Sequence, residues 1–328
     1  MMSEETRNSV AGAEFAPSLA EALDHGAVVV ARPDWGTLHV TGPDRSTWLN
    51  GIVTCNVAEV TPERGAWGLL LSKQGKIEAE LQILASRDAL FVGVSGGDPS
   101  DLHETLDRYL VMEDVDLEQA GGFTWWELHG PRALAAARSC AEHLAALGAM
   151  SWTARGGAAL VAPSASASAV HACLSSAGAV VASPEQWEPA RLRLGLPRYG
   201  VDFGPEDNPH AAAIERRAVS WTKGCYLGQE VVCMQDMRGK VKRRLVRLEL
   251  PADDRSTGAG TAVLTFPEAA DVGQVKSRAG RFAIASVRAP ADQPGGEVRV
   301  GEGTARVLEL ALQAANDGAA AGAPGQNS

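Results

Sequence analysis

The chain has 328 residues, 45% of them apolar, which is enough for two or three domains with a large core and excludes global disorder. Lys and Arg total 30 against 40 Asp and Glu, a net charge of -10, which argues against direct nucleic-acid binding through overall charge. No apolar run approaches the ~18 residues of a membrane span, and the five cysteines show no CxxC pair, so neither a zinc ribbon nor a four-cysteine cluster site is written here.

Residues 1–16 are polar and acidic, so they read as a loose tail and not as a secretory signal. A helix is predicted over 17–25, stopped by Gly26, followed by strands at 27–31 and 37–41. Gly42-Pro43 then opens a short helix that turns Trp48 and Leu49 inward and ends at Asn50-Gly51. Strands at 66–71 and 76–84 flank Ser72-Lys73-Gln74-Gly75. In the second, Ile77, Ala79, Leu81 and Ile83 alternate with Glu78, Glu80 and Gln82, the period of a half-buried strand. A third strand is predicted at 89–94, and Leu102, Leu106, Tyr109 and Leu110 then mark one helix face.

A strand at 125–129, Gly130-Pro131 and an Ala-rich helix to about residue 147 repeat the earlier order of strand, Gly-Pro and helix. Gly42 and Gly130 lie 88 residues apart, so internal duplication and coincidence both stand. Residues 158–182 read as β-α-β, with the helix over 164–176. Six short strands follow at about 243–250, 260–266, 272–277, 281–288, 297–300 and 304–310, a small antiparallel barrel or sandwich. The last ~15 residues read as disordered.

The chemistry concentrates in Trp221-Thr222-Lys223-Gly224-Cys225-Tyr226-Leu227-Gly228-Gln229-Glu230. Gly224 and Gly228 suit a turn that exposes Cys225 and opens at Gln229 into a regular element, with Val231, Val232, Cys233, Met234 and Met237 on an apolar face. If that element is a helix, its N-terminal end and Lys223 both favour thiolate, and Glu230 opposes them. The alternative is a buried cysteine in a tight Gly turn. Cys55, Cys140, Cys173 and Cys233 are expected to be reduced packing thiols, which suits a cytoplasmic location. The seven histidines show no HxH or HxxxH spacing, so no metal site is expected. Arg238, Lys240, Lys242, Arg243, Arg244 and Arg247 form a basic run, either a solvated strand face or a surface for polyglutamate, RNA phosphates or an acidic partner.

Lys223 through Glu230, followed by the basic run, resembles the signature of the YgfZ-like branch of the GcvT (aminomethyltransferase) folate-binding superfamily. Weaker blocks agree: Val40-Thr41-Gly42-Pro43-Asp44 through Val57, Arg108-Tyr109-Leu110 to Val115, Gly195-Leu196-Pro197-Arg198-Tyr199-Gly200-Val201-Asp202, and 274–287. The resemblance implies an α+β fold of two intertwined subdomains over 17–240 around a folate-sized channel. A C-terminal β-barrel over 241–312 would follow, with tails at 1–16 and 313–328. It implies a cytoplasmic tetrahydrofolate-binding factor that supports assembly or repair of iron–sulfur proteins and, through them, tRNA modification. Its partners would be folate and iron–sulfur assembly or client proteins.

Cys225 would stand at the working turn as thiolate nucleophile, transient cluster ligand or redox-sensitive contact to folate. Lys223, Gly224, Tyr226, Gln229, Glu230, Tyr199, Trp221 and Arg238 are the candidate folate contacts. Against the transferases' Gly-Gly-Ile-x-Asp-Asp, this chain has Gly75-Lys76-Ile77-Glu78-Ala79-Glu80. Ala79 takes the place of the aspartate assigned to transfer, and Glu80 matches only the second. Ser95 replaces an asparagine, and Arg193 replaces a pterin-binding glutamate. Two alternatives follow: an aminomethyltransferase in which Glu80 acts for the missing aspartate, and a folate-free interaction module that docks through the basic run.

Overall fold

The computed structural model describes residues 17–96, 98–152, 155–239 and 241–310. The expectations for the two tails and for Lys240 fall outside these residues. The chain runs α1 (Pro17–His25), β1 (Val28–Arg32), β2 (Trp35–Thr41), α2 (Arg45–Asn50), β3 (Glu63–Arg64), β4 (Ala66–Leu71), β5 (Ile77–Ala85), β6 (Leu90–Ser95), α3 (Ser100–Asp107) and β7 (Asp116–Gln119). It continues through β8 (Phe123–His129), α4 (Ala133–Ser139), β9 (Ala146–Ala149), β10 (Gly157–Pro163), α5 (Ala167–Ser176), β11 (Val180–Ala182), α6 (Pro184–Leu194), α7 (Glu215–Ala218) and α8 (Gln229–Arg238). Six more strands follow: β12 (Arg243–Glu249), β13 (Ala262–Thr265), β14 (Asp271–Ala279), β15 (Phe282–Arg288), β16 (Glu297–Val300) and β17 (Gly303–Leu308).

These elements make two sheets and a barrel. One sheet has the order β11-β1-β8-β10-β9-β3, the other β4-β5-β6-β2-β7, and the barrel closes as β12-β15-β14-β13-β16-β17. The chain places β1 in the first sheet, most of β2 to β7 in the second, and then returns, which is the intertwining that the sequence resemblance implied. The sheets share one core, in which Val28, Val30, Trp125 and Val161 meet Trp67, Leu69, Leu71 and Phe91. Helices α2 and α3 cover the far side of one sheet, and α4 and α5 that of the other. The barrel has its own core and also rests Leu245, Ala279 and Ile284 on the central one.

Gly42 and Gly130 both adopt positive φ, +95° and +117°, after β2 and β8. A Cβ at Gly42 would lie 2.2 Å from the Asp114 carbonyl oxygen, so the turn needs glycine there.

Several expectations change. The Ala-rich helix ends at Ser139, because 146–149 is needed as β9 beside β10. Helix α6 was not anticipated at all, although Ser183, Pro184 and Gln186 write its capping box and first turn. Cys140 and Cys173 are not separate packing thiols: they form a disulfide where the C-terminal end of α4 meets α5, leaving Cys55, Cys225 and Cys233 free. Strand β5 is not half-buried, since Glu80 and Gln82 are only 8% and 2% exposed. Glu80 and Gln82 look into the space between the sheets, and only Glu78 of the strand's polar face is exposed.

Candidate functional site

That space holds a cavity of about 300 Å³, within the range of about 300–1,000 Å³ that suits small ligands. Trp35, Trp67, Trp152, Trp187 and Tyr199 supply its aromatic walls. The pleat of β5 sends Glu80 and Gln82 into it, while Ala79 turns into the core on the sheet's other face. The alanine at 79 therefore leaves the cavity's carboxyl in place. Glu80 accepts hydrogen bonds from Trp67 Nε1 at 3.0 Å and Ser95 Oγ at 2.7 Å. Burial pushes its carboxyl up to about 7, opposed by the Ser95 bond and reinforced by nearby Glu127. Ser95 thus serves the carboxylate, and Arg193 is exposed and outside the cavity wall.

Behind the cavity stands a buried ionic cluster. Arg191 donates to Glu188 at 2.5 and 2.9 Å, to Asp202 at 2.6 Å, to the Leu196 carbonyl at 2.6 Å and to Ser277 at 3.2 Å. Ser277 in turn donates to Asp202. Burial works against the charge on Arg191, but the Asp202 and Glu188 carboxylates raise its pKa overall. The cluster ties α6, the 196–202 loop of the cavity wall and barrel strand β14 together.

The cysteine turn lies apart from this cavity. Cys225 is exposed, and of the ten candidate residues only Glu80 and Tyr199 line the cavity. Tyr199 donates its hydroxyl to the Glu78 carbonyl at 3.0 Å. The Lys223 ammonium is turned onto the carbonyls of Asn50, Val53 and Cys55, at 2.5, 2.8 and 2.7 Å. It also lies 5.5 Å over the Tyr226 ring, whose hydroxyl is buried with no partner among the described residues. The lysine therefore holds the end of α2 against the turn. Replacing Lys223 with methionine is expected to lower stability by about 1–3 kcal/mol, read as a lower urea midpoint.

Gly228, at φ +79°, caps α8, and a Cβ there would meet the Ser72 carbonyl oxygen at 2.6 Å. The turn is thus packed onto the β4–β5 hairpin. Gln229 begins α8, Glu230 and Arg238 are exposed along it, Gly224 is open to solvent, and Trp221 is 43% exposed with its indole bonded to the Glu215 carbonyl. Met237 is exposed instead of joining an apolar face. Among the described residues no group of three His, Cys, Asp or Glu side chains is placed to hold a metal, and no helix is long and apolar enough to cross a membrane.

The cavity wall was hard to find from sequence. Trp35, Trp67, Trp152, Trp187, Glu127 and Arg32 come from separate elements with no common motif. The available signal was the run of polar residues on β5 and the excess of tryptophan, eight in the chain.

No protein-family model matches the chain. It is 26% identical over 248 residues to a tRNA-modifying protein YgfZ of Hamiltonella defensa, covering 66% of this chain and 68% of that one. It is 23% identical over 260 residues to an iron–sulfur cluster assembly factor IBA57 homolog, mitochondrial, of Chaetomium globosum, covering 69% and 57%. The structure superposes on glycine cleavage system aminomethyltransferase T of Bartonella henselae with a TM-score of 0.72 at 18% identity, over 94% of this chain and 96% of that one. The chain is a distant homologue of the YgfZ and IBA57 proteins and carries the aminomethyltransferase fold, with its two mixed sheets and closed C-terminal barrel.

Proposed function

We propose that this chain is a tetrahydrofolate-binding factor serving the assembly or repair of iron–sulfur proteins, with indirect effects on tRNA modification. The observation that carries the ligand assignment is the tryptophan-walled cavity between the sheets, with a buried carboxyl on one side. Flat indole walls suit a fused heterocycle, and a carboxyl suits the amino and ring-nitrogen donors on its edge. The buried nitrogens of Trp35 and His129 in the same wall have no partner within the described chain, which fits a polar ring. A bound tetrahydrofolate would supply a reduced ring able to accept a one-carbon unit. The role in iron–sulfur protein assembly rests on the names of the YgfZ and IBA57 relatives and on the exposure of Cys225.

In this scheme the chain holds the ring between indoles, keeps bulk water from it, and presents Cys225 separately for contact with a client or assembly partner. Tetrahydrofolate is expected to quench the intrinsic tryptophan fluorescence, since the cavity is walled by four indoles. Cys225→Ala should quench equally and stay folded, but fail to restore iron–sulfur enzyme activity in cells lacking the protein. Absence of any quench would remove the folate assignment, and full restoration by Cys225→Ala would remove the thiol's role.

A second reading, folate-dependent aminomethyl transfer, is favoured by one observation. Glu80 lines the cavity, and burial pushes its carboxyl up to about 7, where it can hold or pass on a proton.

A further inference from the structure

His129 is the last residue of β8, and its side chain lines the cavity. The imidazole stacks on Trp187, with centroids 4.4 Å apart and planes at 21°, and packs on Trp152 at 5.0 Å. The residue is 4% exposed, yet neither ring nitrogen has a hydrogen-bond partner among the described residues. Trp35 Nε1, in the same wall, is in the same condition. Burial holds the imidazole neutral, with its pKa drawn down to about 4. The Glu127 carboxylate, whose charge acts on the ring, is engaged by Arg32 at 2.8 Å.

A neutral imidazole carries one N–H and one lone pair. Leaving such groups unmet in a dry interior costs about 1–3 kcal/mol each. A chain that needed only packing here would be better served by phenylalanine. A polar ring held by two indoles and left unfinished has the form of a binding group awaiting its ligand.

We infer that His129 is a specificity-determining residue that reads the polar edge of the bound heterocycle, with Trp35 Nε1 as a second donor in the same cavity wall. This inference rests on the folate assignment above. The ligand chemistry it selects is an uncharged lactam-like edge, with donor and acceptor side by side, as on an oxo-pteridine ring. An ordered water would satisfy the same nitrogens, and binding data separate the two.

The test is equilibrium dialysis of tetrahydrofolate against the wild-type full chain, His129→Phe and His129→Gln, with thermal melts of all three. His129→Phe is expected to bind about tenfold more weakly, the equivalent of one lost hydrogen bond. It should nevertheless melt at or above the wild-type temperature, because buried unmet nitrogens are gone. His129→Gln, which restores a donor and an acceptor, should recover part of the affinity. If the wild type fails to bind tetrahydrofolate, the folate assignment falls and this inference with it. If the wild type binds and His129→Phe binds equally well, only the role of His129 is overturned. A lowered melting temperature with equal loss of binding in both variants would assign His129 to packing and overturn it as well.

Discussion

Replacing Arg191 with methionine is expected to lower stability by about 3–5 kcal/mol, the usual cost of breaking a buried ion pair from one side. Its side chain is 4% exposed, and the Asp202 side chain is fully buried. Methionine fills similar space but leaves Asp202 and Glu188 with one fewer cation between them. Asp202 keeps bonds from the Arg198 backbone N–H and from Ser277, and Glu188 keeps Arg198 at 3.3 Å, so the cluster is weakened without being emptied. Because Arg191 also holds the Leu196 carbonyl, the cavity loop loosens with the barrel contact. The expected readouts are a lower guanidinium midpoint and a weaker folate quench together.

An exposed pair gives the contrast. Arg64 and Glu59, at 64% and 50% side-chain exposure, should tolerate Arg64→Met within about 0.5 kcal/mol. An unchanged midpoint in the Arg191 variant would mean that the cluster does not join the α6 region to the barrel.

What the sequence could and could not reveal divides along physical lines. Local signals were faithful over part of the chain, though they overran the helix that ends at Ser139 and passed over α6. The hairpin over 66–85, the six barrel strands and the regular element opening at Gln229 follow from alternation, turn residues and glycine positions, and the structure makes that element a helix. Those signals act over a few residues, so a single chain carries them. The cavity is different. Arg32, Glu80, Glu127, His129 and Trp187 meet only because β1 and β8 pair in one sheet, β5 lies in the other, and α6 closes one side. Pairings at that separation leave no mark in composition.

The cysteine turn misled in the opposite way. Lys223 and Cys225 are close in sequence, which suggested that the ammonium tunes the thiol. The ammonium reaches instead to three carbonyls about 170 residues back in the chain. Three acceptors around one ammonium account for a lysine at this position on structural grounds alone.

Glu80→Gln is expected to flatten the pH dependence that this one carboxyl gives the wild type. The folded carboxyl titrates near 7, above its ordinary value of 4.5, because burial disfavours the charge. Below pH 4.5 both folded and unfolded chains hold the proton, and the group contributes no difference. Between 4.5 and 7 the unfolded chain releases the proton while the folded chain keeps it, so stability falls as pH rises. Above 7 the full penalty remains, on the order of 3 kcal/mol. Glutamine never ionises and can still accept from Trp67.

The variant should therefore match the wild type near pH 4 and exceed it at pH 8, measured as the difference between their urea midpoints at each pH. A difference that does not change with pH would place the carboxyl's titration elsewhere. The same variant separates the two functional readings. If the chain transfers an aminomethyl carbon, losing the proton donor should slow turnover by about 10²–10⁴-fold while the folate quench persists. If it serves as a folate-binding assembly factor, no turnover is there to lose, and Glu80→Gln should act only through the cavity, with any loss of support for iron–sulfur enzymes following a weaker folate quench.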